Sequence, residues 1–361
     1  MAARIERKIN EEIDRMSSKL SLRGERLPIE AYQAISIVSA IFVALGCRDD
    51  TAIAVATHLA DTSLCGMESH GLMRCLQYAE QFQNGYLCAS AEPRVITTAR
   101  GTQEVDGGGG IGIPAMQLAY QQGMEMAGER GISALAIRHV GHTGRHGAFA
   151  DDAADKGFLT ICTGGGNRHS WSQVTPYGGA KGKLPTNPWC AGIPGGEQGP
   201  VVMDFATSKI AGGWIYAAQS AGALLPEGCV IDAQGQPTRE ADDYFNGGAI
   251  LPAGGQKGYA MALVAELIGE AMLGPSTTEC NWLLITLDAT RFREPSAMQA
   301  AAEAVLDEMR RCPPAQGFDR VEVPGERERN FRAQSNGVIL VPEQTWLQIV
   351  ELHASLVVPN K

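Results

Sequence analysis

Val105-Asp106-Gly107-Gly108-Gly109-Gly110-Ile111-Gly112-Ile113-Pro114-Ala115-Met116 is the stretch that decides the fold. Gly107, Gly109 and Gly112 fit the spacing G-x-G-x-x-G. The tract follows a strand-like run, Gln103–Val105, and precedes a helical run, Pro114–Arg130. In that setting bare amides at a helix start can cradle a pyrophosphate. Two features oppose this reading. Four consecutive glycines meet a spaced pattern by chance, and the only acids near the ribose position, Glu125 and Glu129, fall inside the helix rather than after a second strand. Pro114 sits where a helix can begin without losing a needed N–H. The sequence therefore favours a flexible turn between strand and helix over a doubly wound dinucleotide fold.

On the C-terminal side of this tract, strand-like runs (Ile132–Ile137, Phe158–Cys162, Trp189–Ile193, Val201–Met203) alternate with helical ones (His146–Lys156, Thr207–Gln219, Lys257–Leu273). This block reads as an α/β layer. On its N-terminal side, from Leu27 to about Gly85, apolar residues recur at helical spacing. Near the end, Trp282–Leu287 and Val338–Val341 read as strands, Pro295–Cys312 and Glu343–Leu356 as helices.

The chain has 361 residues, 43 of them glycine, and a net charge of -10. Two or more domains with an ample apolar core are expected, and a job of gripping nucleic acid is not. The apolar stretches Ile35–Leu45 and Ala260–Ile268 are shorter than a membrane span. Residues 1–26 carry both charge signs and no apolar core of a secretory signal, so they read as a helical extension. Nine scattered cysteines with no C-x-x-C spacing suit small buried thiols in a reducing cytoplasm.

Four polar clusters could carry chemistry. His70 lies in Gly66-Met67-Glu68-Ser69-His70-Gly71-Leu72-Met73-Arg74, with Arg74 and Tyr78 following at one-turn spacing. An imidazole for proton transfer beside a guanidinium for a carboxylate is what a small oxo acid requires, and a helix-capping role is the plainer alternative. His142 and His146 stand four apart, which would allow metal ligation and defines a rival reading, a metal-dependent hydrolase or lyase. No H-E-x-x-H glutamate or third ligand accompanies them, so no metal is expected. Thr163–Arg168 offers bare backbone beside an arginine, for an anion or flat ring, or simply a wide turn. Asp204 ends an apolar strand, where a carboxylate serves as a helix cap or as the orienter of a histidine.

Eight segments occur in one order: ADTSLCGMESHGLMRCLQY, VDGGGGIG, GHTGRHG, LPTNP, VVMDFATS, PEGCVIDAQGQPT, LPAGGQKGYA and VPGERE. Together they resemble the malate/L-lactate dehydrogenase family of NAD(P)-dependent oxidoreductases from about Leu27 onward. The resemblance implies a non-Rossmann α+β / α/β fold: a helical domain from both chain ends around an inserted cofactor-binding domain with a largely antiparallel sheet. In residues, it implies a mainly helical substrate and dimerisation domain (27–105 with 285–361) and an NAD(P)-binding domain (106–284), assembled as a cytoplasmic homodimer.

The resemblance also implies a hydride transfer between nicotinamide C4 and C2 of a small 2-oxo or 2-hydroxy acid, with NAD or NADP as cofactor. A cyclic or N-alkyl ketimine is the alternative substrate. It makes Ser69 and His70 the catalytic pair, Asp204 the carboxylate pairing with His70, His142 a second acid/base candidate, Arg74 the carboxylate clamp and Tyr78 a substrate contact. Its cofactor contacts fall on Thr186, Asn187, Pro188, Met203, Phe205, Ala206, Thr207, Ser208, Gln256, Lys257, Gly325, Glu326 and Arg327.

Overall fold

The computed structural model describes residues 25–357; the expected N-terminal helix, apart from its last two residues, lies outside them. The chain enters as strand β1 (Arg26–Glu30), then α1 (Ala31–Ala44), α2 (Asp49–Leu64), a short 3₁₀ turn (Glu68–His70) and α3 (Arg74–Gln83). Strands β2 (Arg94–Thr97) and β3 (Gln103–Gly110), helix α4 (Gly112–Arg130), β4 (Ile132–Val140), α5 (His146–Asp155), β5 (Phe158–Gly165), β6 (Trp189–Gly196) and β7 (Gly199–Phe205) follow. Next come α6 (Gly212–Ala221), three two-residue strands β8 (Val230–Ile231), β9 (Pro237–Thr238) and β10 (Ala249–Ile250) with α7 (Ala241–Phe245) before the last, and α8 (Gln256–Glu266). The chain closes with β11 (Asn281–Asp288), α9 (Pro295–Arg310), α10 (Glu326–Ser335), β12 (Val338–Pro342) and α11 (Glu343–Val357).

The main sheet is seven-stranded and mixed, in the order β2-β3-β4-β11-β5-β6-β7. Only β3 and β4 run parallel; every other neighbouring pair is antiparallel. Helix α4 links that parallel pair and packs on β3, β4 and β11, while α5 packs on β5, β6 and β7. A parallel pair joined by a helix is the local arrangement that the glycine spacing hinted at, without the doubly wound sheet around it.

The expected helical start at Leu27 is instead β1, paired antiparallel with β12 from Arg26↔Pro342 to Glu30↔Val338. The partner lies more than three hundred residues downstream, beyond the reach of local periodicity, and Pro28 suits an edge strand. This pairing joins the two chain ends, and α11 packs against α1 and α3.

The described residues form two compact units. The larger comprises Arg26–Gly166, Trp189–Phe205 and the residues from Leu267 on; the smaller comprises Asn167–Pro188 and Ala206–Glu266. This packing division differs from the expected 27–105 plus 285–361 against 106–284. The seven-stranded sheet shares one apolar core with the terminal helices, in which Phe42, Leu59, Tyr78, Ile113, Ile137 and Ile349 are all but fully buried. The smaller unit has its own core around Val174, Ile215, Leu225 and Ile250. Each such aliphatic side chain removed from water contributes about 2 kcal/mol before conformational entropy is counted.

The glycine tract is neither a flexible turn nor a phosphate cradle. Gly107–Gly110 complete β3, and a Cβ on Gly107 would lie 2.4 Å from Val140 Cγ1. The Gly112 N–H donates to His142 O at 3.0 Å, and a Cβ there would lie 2.6 Å from Gly141 O. The first amide of α4 is thus spent on the backbone of His142, Ile113 is buried and Pro114 has no N–H. The Thr163–Arg168 cluster behaves alike: Gly164 lies under the Trp282 ring, and Gly165 meets the backbone at Gly269. Small residues here allow backbones to approach each other.

Candidate active site

Ser69 and His70 end a 3₁₀ turn that is pinned from both sides. Arg26 forms an ion pair with Glu68. Gly71 has no room for a side chain, since its Cβ would overlap Ser63 Oγ, which instead accepts the Leu72 N–H at 3.0 Å. His70 Nδ1 lies 2.9 Å from Ser69 Oγ. Arg74, one turn on, donates from Nε to Ser69 O at 2.6 Å and from Nη1 to Gln77 Oε1. Its Nη2 has no hydrogen-bond partner among the described residues.

His142 arrives from the loop after β4. That loop is held by the glycine tract, by Gly141 N–H to Gly110 O at 2.8 Å, and by Arg145 N–H donating to His58 Nε2 at 2.9 Å. The His70 and His142 rings lie 5.3 Å apart between centroids, and both residues are half-buried. His142 Nδ1 accepts the Gly144 N–H at 3.2 Å and pairs with Tyr78 OH at 2.6 Å. A backbone amide can only donate, so Nδ1 holds a lone pair and the proton of the neutral ring sits on Nε2. Ser69 imposes no such restriction on His70, because a hydroxyl donates or accepts.

Low-polarity surroundings first, and the charge of Arg74 second, hold His70 down to about 3 and His142 well below the ordinary histidine range. Both rings are neutral near pH 7.

Two expected roles change. Tyr78 is 0% exposed, so it cannot touch a substrate; it positions His142 instead. Asp204 does not pair with His70. Its Oδ2 accepts the Gly147 N–H at 2.6 Å, capping the start of α5, because β7 ends directly beside that helix terminus. Burial raises the Asp204 carboxyl, opposed by that hydrogen bond and by Arg145. Nor do His142 and His146 act as a ligand pair. His146 binds Thr143 Oγ1 at 2.8 Å, and its ring lies 4.2 Å from that of Trp282. Among the described residues no group of three or more His, Cys, Asp or Glu could hold a metal ion.

The expected cofactor contacts gather in two places. In the larger unit, Met203, Phe205, Gly325 and Arg327 line a cavity of about 460 Å³ together with Asp204, Val202, Pro324, Arg145, Arg329 and Arg332. Glu326 does not line it. It is buried, accepting from Arg310 Nε at 2.8 Å and from Val323 N–H at 3.0 Å. In the smaller unit, Thr207 donates from Oγ1 to Thr186 O at 2.8 Å and to Asn187 O at 3.1 Å. The Ala253 N–H reaches Thr207 O at 2.8 Å and Ser208 bridges to Pro252, which brings Pro188 and Ala206 with them to the start of α8, where Gln256 and Lys257 are exposed.

The family pattern described as malate/L-lactate dehydrogenase matches residues 29–350. The chain belongs to this family. A Δ1-pyrroline-2-carboxylate/Δ1-piperideine-2-carboxylate reductase of Pseudomonas putida is 34% identical over 259 residues, 72% of this chain and 74% of that protein. An L-lactate dehydrogenase of Cupriavidus necator is 32% identical over 322 residues, 85% of this chain and 91% of that one. The crystal structure of a dehydrogenase from Sinorhizobium meliloti superimposes with a TM-score of 0.80 at 27% identity, covering 92% of this chain and 99% of that one. This malate/L-lactate dehydrogenase family member is thus an oxidoreductase.

Sequence reasoning missed three arginines of the cavity, Arg145, Arg329 and Arg332. For two of them a signal existed: Arg329 and Arg332 follow Gly325 by four and seven residues, on one helical face.

Proposed function

We propose that this protein is an NAD(P)-dependent oxidoreductase that moves a hydride between the nicotinamide and C2 of a small 2-oxo or 2-hydroxy acid. The observation that carries the reading is the half-buried pair His70–His142 beside an arginine with a spare Nη2. A nicotinamide fits the residues present. The cavity at Met203, Phe205, Gly325 and Arg327 is apolar in part, and Arg145, Arg329 and Arg332, which also line it, each keep an Nε without a hydrogen-bond partner among the described residues, donors that phosphate oxygens would satisfy. Thr186, Asn187, Pro188, Ala206, Thr207, Ser208, Gln256 and Lys257 are proposed as the remaining contacts. When bound, the group supplies or accepts the hydride.

The chain's own residues do the rest. Arg74 holds the substrate carboxylate and so fixes which way C2 faces. His142, its proton fixed on Nε2, donates a hydrogen bond to the C2 oxygen. His70 exchanges the proton, because Ser69 can reverse its own role as His70 gains or loses one. In the oxidation direction neutral His70 is ready as a base. In the reduction direction a carboxylate on Arg74 offsets the positive charge that helps hold His70 neutral, so substrate binding itself favours loading the proton.

A second reading is a cyclic ketimine reductase on the same site, supported by the neutrality of both histidines: a protonated imine brings its own proton. We propose further that 27–105 with 285–361 supply substrate and dimer contacts and 106–284 the nicotinamide site. The test is oxidation of NADH or NADPH with a panel of 2-oxo acids and cyclic imines. Turnover with at least one is expected, with KM raised roughly 100-fold in Arg74→Met. No oxidation of either cofactor across the panel would overturn the reading.

A further inference from the structure

Strands β3 and β4 lose step where the glycine tract begins. Asp106 faces Arg138 and Gly110 faces Val140, so Gly107, Gly108 and Gly109 stand opposite the single residue His139. Gly108 and Gly109 absorb the extra length at φ +61° and +77°. His139 answers them with a φ of +52°, left-handed backbone that crowds a residue carrying a Cβ. A residue stays in such a conformation only where its surroundings hold it there.

Asp106 holds it. Its Oδ1 accepts the Gly108 N–H at 3.0 Å and lies 3.1 Å from His139 Nδ1, and its Oδ2 lies 3.3 Å from Arg94 Nη2. Burial would raise the Asp106 carboxyl, but the Gly108 amide, His139 and Arg94 together keep it below its ordinary value. An ionised carboxylate only accepts, so His139 Nδ1 carries a proton and donates a hydrogen bond across the mismatch. The His139 side chain is 45% exposed, so packing does not account for its place.

Three residues later the chain delivers His142. Past His139 the strands rejoin through Gly141 N–H to Gly110 O at 2.8 Å and Gly112 N–H to His142 O at 3.0 Å, and the Thr278 hydroxyl reaches Val140 O. These ties, and the pairing of His142 Nδ1 with Tyr78 OH, form only if the backbone leaves β4 in the direction that the left-handed residue sets. We propose that His139 is a positioning residue: bound to Asp106, it holds the left-handed turn that aims His142 at the candidate active site. This rests on the reading of His142 as the hydrogen-bond donor to the substrate. The role requires two properties, tolerance of left-handed backbone and a donor at the δ position of the side chain. Glycine has only the first, alanine has neither and asparagine has both.

Three variants of the full chain, His139→Asn, His139→Gly and His139→Ala, separate these properties. The first readout is the nitrogen-15 resonance of His142 Nδ1, which reports the hydrogen bonds that atom accepts and needs no turnover. His139→Asn is expected to leave the resonance in place, whereas His139→Gly and His139→Ala shift it toward an unbonded nitrogen, His139→Ala the further. The second readout is kinetic. Relative to the parent, kcat is expected to fall about 10-fold in His139→Gly and further in His139→Ala, with nicotinamide affinity and melting temperature little changed, and to stay close in His139→Asn. A His142 resonance unmoved in His139→Gly, or moved as far in His139→Asn as in His139→Ala, would overturn the assignment. So would kcat losses that simply follow melting temperature across the three. Movement of the resonance in the expected order supports the assignment even where no cofactor is oxidised, an outcome that counts against the proposed reaction alone.

Discussion

His70 and His142 form one pair of histidines; His58 and His146 form another. All four are held well below the ordinary histidine range, chiefly by burial. In the second pair both residues are sealed, at 6% and 5% exposure, against aromatic neighbours: His58 stacks on Phe149, and His146 lies tilted against Trp282. His58 spends Nε2 on the Arg145 amide and so fixes the loop that carries His142. In the first pair the residues are half-buried, and their partners are hydroxyls of Ser69 and Tyr78. A displaced titration therefore does not mark function by itself. Partial exposure beside Arg74, rather than the titration itself, separates the reactive pair from the structural one.

The comparison breaks first at turnover. His70→Gln should lower kcat by roughly 10²- to 10⁴-fold with nicotinamide binding retained, whereas His146→Gln should lower the melting temperature and leave kcat of the folded enzyme within the same order. Matching losses of kcat in both variants would erase the distinction between the pairs.

Acid stability sharpens the other half. The folded-state values of His58 and His146, about 3, lie below the unfolded value of 6.5, so the unfolded chain binds more protons between those limits. Their contribution is complete above about pH 6.5 and is lost as pH falls toward 3. At pH 5 each should have cost ~2 kcal/mol relative to pH 7, and Glu279, raised to about 7, should return part of it. Urea unfolding at pH 7 and pH 5 checks this. Stability that is flat or rising on acidification would contradict the sealed, neutral state of these rings.

Much of the site was legible because it is local. Ser69, His70 and Arg74 fall within six residues, and glycines announce the loop. The alternation from Gln103 to Met203 gave the sheet strands because half-buried strands and their covering helix keep distinct periods. What stayed hidden depends on distant partners. Spacing placed Tyr78 on the same face as Arg74 but says nothing of depth, and the packing of α1 seals it. Strand β1 needs β12. Asp204 had two plausible uses at a strand end, and the start of α5 chose between them. The glycine tract, read as a turn, proved to be the surface on which the His142 loop lies.

The central claim is that His70, not His142, carries the mobile proton and that a carboxylate on Arg74 controls it. Nitrogen-15 NMR of the imidazoles, titrated with and without oxamate, tests it directly. Oxamate should raise the His70 pKa, leave His58 and His146 unmoved, and find His142 in its Nε2–H form throughout. A His70 that does not respond to oxamate, or a His142 that protonates in its place, would contradict the account.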